Sequence, residues 1–364
     1  MHLKSIHIYR FRNYTEQQIE FSPETNLITG DNGQGKTNLL EAIHYCCLGH
    51  SPRTRKDKDL IRWEAEDFIL RIEGVSRDGR LHTQSVLFKA DGTKEIRKQG
   101  EASKRLSDLI GSFSVVFFSP SDLDLVNGSP GSRRKFLDAL MCQHSPEYLI
   151  TLRNYQRTLK QRNVVLKEEA KYTLDVLEAL NEQLLEYGAE IIFKRLKFLE
   201  RLGPLSHEFY ARSGGKGSLS ITYEGEGEYP FREKEAIKAV FYKKMLKVQA
   251  YEKVVKTSLI GPHKDNLLIL LSDKKAVDFG SQGQKRLIAL SLKLASAKSL
   301  ETKFQEPPIL LLDDVFAELD EARRSEVSSM MTESGQVFLA TPREEDIPFS
   351  FQQVVRIKEG ELDN

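Results

Sequence analysis

Gly30-Asp31-Asn32-Gly33-Gln34-Gly35-Lys36-Thr37 fits the spacing G-x-x-x-x-G-K-[ST], and it sits between a short apolar strand, Asn26-Leu27-Ile28-Thr29, and a helix opening on Asn38-Leu39-Leu40-Glu41-Ala42-Ile43. That arrangement builds a phosphate cradle. Gly30, Gly33 and Gly35 let the backbone curl so that successive N–H groups point inward, and the helix N-terminus adds partial positive charge. Lys36 is expected to reach the β- and γ-phosphates of a nucleoside triphosphate, and the Thr37 hydroxyl to ligate Mg²⁺, a hard cation that prefers oxygen. Farther along, Pro307-Pro308-Ile309-Leu310-Leu311-Leu312-Asp313-Asp314 reads as an apolar strand ending in two carboxylates, the usual complement of such a loop. Asp313 is expected to hold the magnesium shell. Asp314, next on an alternating strand, should project differently and orient or deprotonate the attacking water, or else act as a second metal-shell ligand.

Between these two motifs lies Phe279-Gly280-Ser281-Gln282-Gly283-Gln284, followed by an amphipathic helix bearing Leu287, Ile288, Leu290, Leu292 and Leu294. Ser281 could be a plain N-cap. Alternatively, with Gly283 leaving amides open, the segment could offer an anion site to the γ-phosphate of a second molecule's nucleotide.

The elements that must position these residues follow from periodicity. Ile6, Ile8 and Phe11, then Ile19, Phe21, Leu27 and Ile28, mark strands closing on the loop. Short runs from Trp63 to Lys98, split by Asp78-Gly79 and Asp91-Gly92, predict an antiparallel meander. Past Val115–Phe118 the period becomes helical, and Leu152, Tyr155, Leu159 and Leu166 with Leu177, Leu180, Leu184, Tyr187 and Ile191 predict paired seams of an antiparallel helical hairpin, or ordinary core packing. Sheet character returns after Gly261-Pro262-His263. The expected fold is α/β: a phosphate-loop head formed by 1–120 and 257–364, with a mainly helical domain inserted at 121–256.

At 364 residues the chain is long enough for two domains, and 54 Lys+Arg against 53 Asp+Glu give a net charge of +1, so no global basic field points to nucleic acid. Three cysteines form no disulfide framework and no zinc spacing, which suits a reducing cytoplasm. Apolar runs are too short to span a bilayer.

In order, phosphate loop, Ser281-Gln282-Gly283-Gln284, strand with Asp313-Asp314 and Ala317-Glu318-Leu319-Asp320 resemble the ATP-binding-cassette ATPase head. Phe11-Arg12-Asn13-Tyr14, Gly30 to Glu41, Arg53-Thr54 with Asp57 to Ile61, Asn127 to Pro130 with Arg133 to Asp138, and Gly261-Pro262-His263 are more narrowly similar to the RecF family. That resemblance implies an SMC-like head with a compact helical second domain, ATP-driven homodimerisation and slow hydrolysis. In it each copy would lend Ser281, Gly283 and Gln284 to the ATP held by the other's Gly30 to Thr37. It further implies binding of single- and double-stranded DNA at gaps or junctions, and help in loading RecA together with RecO and RecR. The chain departs from the wider cassette pattern in having no glutamine between Gly111 and Val126, Thr341 where many transporters place a histidine, and Asp314 where they place glutamate.

Candidate DNA contacts are Arg53, Arg55, Lys56, Lys58 and Arg62 after the first helix, Arg133, Arg134 and Lys135 at the start of the helical region, and Arg153, Arg157, Lys160 and Arg162 on the hairpin. Each cluster can also be a solvated face, which is the ordinary role of such charges. Arg12 or Tyr14 could contact adenine or serve a structural role. An ATPase subunit of a membrane transporter would share the nucleotide motifs, but not the helical insertion or the Gly-Pro-His segment.

Overall fold

Runs buried at nearly every position, without in-out alternation, belong in parallel strands covered on both faces, and four such runs, Thr25–Thr29, Val115–Phe118, Ile309–Asp313 and Val337–Ala340, form the centre of this fold. The computed structural model describes residues 1–103, 108–168, 172–225, 233–316, 321–332, 335–342, 347 and 350–363. It divides into two compact units, Met1–Asp122 with Phe209–Gly215 and Leu290–Asn364, and Leu123–Glu208 with Lys216–Ala289.

The first unit opens with β1 (His2–Tyr9), β2 (Glu16–Glu20), β3 (Thr25–Thr29) and α1 (Lys36–Leu48), then β4 (Asp67–Val75), β5 (Leu81–Lys89), β6 (Lys94–Lys98), β7 (Glu101–Ser103) and β8 (Val115–Phe118). The second holds α2 (Asp124–Asn127), α3 (Pro130–His144), α4 (Pro146–Lys167), most of α5 (Leu174–Arg212), β9 (Leu219–Glu224), α6 (Lys234–Val255), β10 (Asn266–Leu271), β11 (Lys274–Lys275) and α7 (Ala276–Phe279). The chain returns along α8 (Gln282–Phe304) to β12 (Ile309–Asp313), α9 (Glu321–Thr332), β13 (Val337–Ala340), β14 (Gln353–Lys358) and β15 (Glu361–Leu362).

One sheet of the first unit has the order β15-β14-β3-β13-β12-β8, and from β14 to β8 its neighbours are parallel. Leu27 stands opposite Leu339 and Val354, so the strand feeding the phosphate loop is flanked by two strands from the far end of the sequence. The other sheet, β2-β1-β4-β5-β6-β7, is antiparallel, and its β4-β5 and β5-β6 turns fall at the predicted Asp-Gly pairs. Helix α1 touches β8, β12 and β13 of the parallel sheet and also β4 and β5 of the antiparallel one, which leaves only Thr37 and Asn38 of its residues short of full burial. Its two enclosed faces explain why α1 lacks the one-sided pattern of a surface helix.

In the second unit α4 and α5 meet through Val165, Leu166, Leu177 and Leu180, as a hairpin does. Arg162 does not belong to the surface stripe that its spacing suggests. It is 1% exposed, with its guanidinium on Glu252 at 2.7 Å, Asn181 at 2.6 Å and Ser258 at 2.7 Å, because a buried charge is retained only when paired. A second buried guanidinium, Arg195, takes both carboxylate oxygens of Asp138 and the Pro262 carbonyl at 2.7 Å. His263 accepts or donates at 2.6 Å to the Tyr155 hydroxyl, and burial lowers its pKa to about 4, so its ring is neutral at physiological pH. The Gly-Pro-His segment is thus a buttress of this unit. The last unit boundary differs from the sequence-derived 256/257 division, since residues up to Ala289 group with the second unit. The physical reason is pairing: β10 runs antiparallel to β9 from Asn266↔Glu224 to Leu271↔Leu219.

Candidate nucleotide site

The phosphate loop turns out of β3 at Gly30, whose φ of 141° and close approach to the chain both demand glycine: a Cβ there would lie 2.2 Å from the Ile357 carbonyl oxygen. Lys36, 8% exposed, donates from Nζ to the carbonyls of Gly30 at 2.6 Å and Asp31 at 2.8 Å, so its ammonium is held over the loop. Burial lowers its pKa, opposed by the nearby Asp313, Asp314 and Asp31 carboxylates. Asp31, Asn32 and Gly33 are exposed at the rim.

Thr37 donates from Oγ1 to Asp313 Oδ1 at 2.8 Å, which joins the first turn of α1 to the end of β12. Burial raises the Asp313 pKa, partly offset by the Thr37 hydrogen bond and the Arg53 charge. The Thr37 hydroxyl and the Asp313 carboxylate are hard oxygen donors that would suit Mg²⁺; no cluster of three or more His, Cys, Asp or Glu side chains that could hold a metal ion occurs among the described residues.

Asp314 stands just beyond β12 at φ 51°, its N–H bonded to the Ala340 carbonyl at 2.9 Å. Its direction is therefore set by a left-handed turn and not by strand alternation, as the sequence reading had it. A non-glycine residue in that conformation is uncommon and stores strain. Thr341, at the end of β13, gives its N–H to the Ile28 carbonyl at 3.1 Å. Residues Ala317-Glu318-Leu319-Asp320 lie outside the described residues.

The loop is braced from both ends of the sequence, which motif reading misses. Asn13 Nδ2 donates to the Gln34 carbonyl at 2.9 Å, Tyr14 OH to the Gly35 carbonyl at 3.0 Å, and Asn38 Nδ2 to Asn13 Oδ1 at 2.8 Å. From the other side the Gly360 N–H reaches the Gln34 carbonyl at 2.9 Å and the Glu359 N–H reaches Gln34 Oε1 at 2.5 Å. Gln34 thus spends its side chain on the chain itself. Tyr14 is 1% exposed and structural. Arg12 forms a two-pronged pair with Glu41 at 2.9 and 3.0 Å. Glu41 is fully buried and also accepts from Ser51 Oγ at 2.5 Å and Arg53 at 3.2 Å. A glutamate on the inner face of a helix four residues past the motif was the available signal.

In the second unit Ser281 caps α8 reciprocally: its Oγ accepts from the Gln284 N–H at 3.3 Å while its own N–H donates to Gln284 Oε1 at 2.9 Å. Ser281 remains exposed, and Gly283 follows in the first turn. Among the basic candidates, Arg53 bonds Asn38 and Glu41, Arg133 bonds Asn266 and the Gly128 carbonyl, and Arg134 bonds the Asp265 carbonyl. Arg55, Lys56, Lys58 and Lys135 are exposed, as are Arg153, Arg157 and Lys160 along one face of α4.

A parallel sheet with its phosphate loop between β3 and α1, facing a carboxylate at the end of β12, defines a nucleotide-binding head of the ATP-binding-cassette type, SMC-like, within a chain that also carries a mainly helical unit. The sequence model of the family described as RecF/RecN/SMC N terminal domain matches residues 2–361. A protein of Halalkalibacterium halodurans named DNA replication and repair protein RecF is 40% identical over 99% of this chain and 98% of its own length. One of the same name from an Exiguobacterium species is 38% identical over 100% and 99%. Among solved structures, the recombination mediator protein RecF with ATP, of the RecFOR pathway, superposes with a TM-score of 0.93 at 33% identity, covering 100% of this chain and 97% of that one. An Smc head bound to the C-terminal winged-helix domain of ScpA shares the fold, with a TM-score of 0.56 at 16% identity. The chain belongs to the RecF family of DNA replication and repair proteins. No helix of the described residues is long and apolar enough to cross a membrane.

Proposed function

We propose that the chain is an ATP-gated DNA clamp, a slow ATPase that closes as a homodimer on two ATP molecules, grips DNA while closed and reopens on hydrolysis. The observation that carries this reading is the 2.8 Å hydrogen bond between Thr37 and Asp313, beside a loop-held Lys36. Those two oxygens would hold Mg²⁺, which supplies charge neutralisation between the β- and γ-phosphates when bound. Lys36 and the loop amides take up the phosphate charge, and Asp314 orients the attacking water and accepts its proton. Ser281 and the open amides at the start of α8 reach across to the γ-phosphate held by the partner copy, so closure depends on that phosphate and ends with its loss. Arg55, Lys56, Lys58, Arg153, Arg157 and Lys160 meet the phosphates of single- or double-stranded DNA at gaps, with Arg53, Arg133, Arg134 and Lys135 nearby in sequence. RecR and RecO are the partners in that setting, as the RecFOR pathway of the solved relative supports, and RecA is the protein whose loading they help.

The test is mass and DNA affinity in solution without nucleotide, with ADP, and with a slowly hydrolysed ATP analogue. Only the last is expected to give a dimer that binds DNA, and Ser281→Arg should remain monomeric while still binding nucleotide. DNA binding absent in every state would sink the clamp. The surface assignment has its own readout: replacing Arg153, Arg157 and Lys160 with alanine should reduce the slope of log affinity against log salt by about 2–3, with dimerisation unchanged.

A further inference from the structure

Helix α6 carries apolar side chains on both of its long faces, a pattern that belongs to helices covered on both sides. Its inner face, Ile237, Phe241 and Met245, is buried with Ala189, Ile192 and Leu196 of α5. On the outer face Tyr242, Leu246, Ala250 and Val254 recur every four residues and form one ridge about 18 Å long. Tyr242 is 50% exposed, Leu246 51% and Val254 74%, with the exposed Ala250 as a low point in the row. Charge is distributed just as unevenly. In the first turns α5 neutralises the lysines: Lys238 meets Glu186 at 2.7 Å and Lys234 meets Glu190 at 3.3 Å. Lys243 and Lys247, beside the ridge, are exposed and have no carboxylate partner among the described residues. From Tyr242 onward the helix holds one acidic residue, Glu252, and it is buried on Arg162 at 2.7 Å.

We infer that the outer face of α6 is the docking surface for a protein partner of the proposed pathway, and that this partner presents an acidic helix whose apolar side lies along Tyr242, Leu246 and Val254. The inference rests on the reading of the chain as one that works with RecR and RecO. A ridge spaced at four residues packs into the groove of a second helix, and Ala250 lets the two backbones approach at its centre. An apolar centre edged by charge is the anatomy of a protein interface, and unpaired lysines at that edge select carboxylates opposite. A second copy of α6 does not fit, because Lys243 and Lys247 would again face lysines. DNA phosphates would satisfy the lysines and leave the ridge uncovered.

Purified RecR and RecO of the same organism are the probes, each titrated by calorimetry into the whole chain held with the slowly hydrolysed ATP analogue. The wild type is expected to bind one of them, more weakly as salt rises. Leu246→Asp should lower that affinity about 30-fold or more, and Lys243→Glu with Lys247→Glu about tenfold or more, with most of the salt dependence removed. These positions are exposed, so nucleotide binding, DNA affinity and thermal midpoint should stay as in the wild type. Unchanged affinity for RecR and RecO alike in Leu246→Asp overturns the docking face. An effect at Leu246 without one at the lysine pair overturns the acidic character of the partner. If the variants keep RecR and RecO binding but lose affinity for DNA, or for phosphatidylglycerol vesicles, the face belongs to nucleic acid or lipid and the inference falls. A wild type that binds neither protein would instead overturn the partner reading on which the docking face rests.

Discussion

Lys36→Met is expected to lower ATP affinity about 100-fold or more and, with it, to erase every nucleotide-linked change in mass or DNA affinity. The ammonium is buried beside the loop, with its hydrogens aimed at the Gly30 and Asp31 carbonyls. A triphosphate arriving there meets a desolvated positive charge, and removing one member of such a charge pair costs about 2–5 kcal/mol. Methionine matches the length of the lysine stem, and burial already works against the charge, so the fold should tolerate the change within a few degrees of thermal midpoint. Calorimetry with the ATP analogue checks the first part and a melting curve the second. Affinity within about threefold of wild type would remove Lys36 from the phosphate site.

The second large effect is expected at Asp314. Asp314→Asn should slow turnover about 10²–10⁴-fold while ATP still binds, so that the closed dimer outlives that of the wild type. Asparagine is among the few residues that accept a φ of 51°, and it keeps the N–H bonded to the Ala340 carbonyl, so geometry is preserved while basicity is lost. Single-turnover hydrolysis, followed with dimer lifetime by light scattering, separates this variant from Lys36→Met, which never closes. If turnover stays near the wild-type rate, or the dimer lives no longer, Asp314 does not act on water.

Of these two residues, Lys36 was legible in the sequence because its chemistry is local. The loop from Gly30 to Thr37 and the strand ending at Asp313 are continuous segments whose motifs can be read locally, and the Thr37–Asp313 hydrogen bond joins them. The antiparallel meander was legible for the same reason, through its Asp-Gly turns. What escaped depends on distant partners. Arg162 reads as part of a charged helix face until Glu252, far away in the chain, is brought against it. Asn13 and Gly360 show no sign of their role until both reach the Gln34 carbonyl. Asp314 misled differently: alternation applies inside a strand, and this residue is the first one beyond it.

The placement of β3 bears on how the protein is made. Its sheet neighbours are β13 and β14, and its loop is tied by Glu359 and Gly360, so translation must pass Gly360 before this strand has its flanks and its loop its braces. During that interval the N-terminal segment must be kept from wrong partners while the later helices form their own contacts, the circumstance in which nascent chains depend on holding chaperones. Chains cut short before Glu359 would lack the hydrogen bonds that Glu359 and Gly360 donate to Gln34 in the phosphate loop.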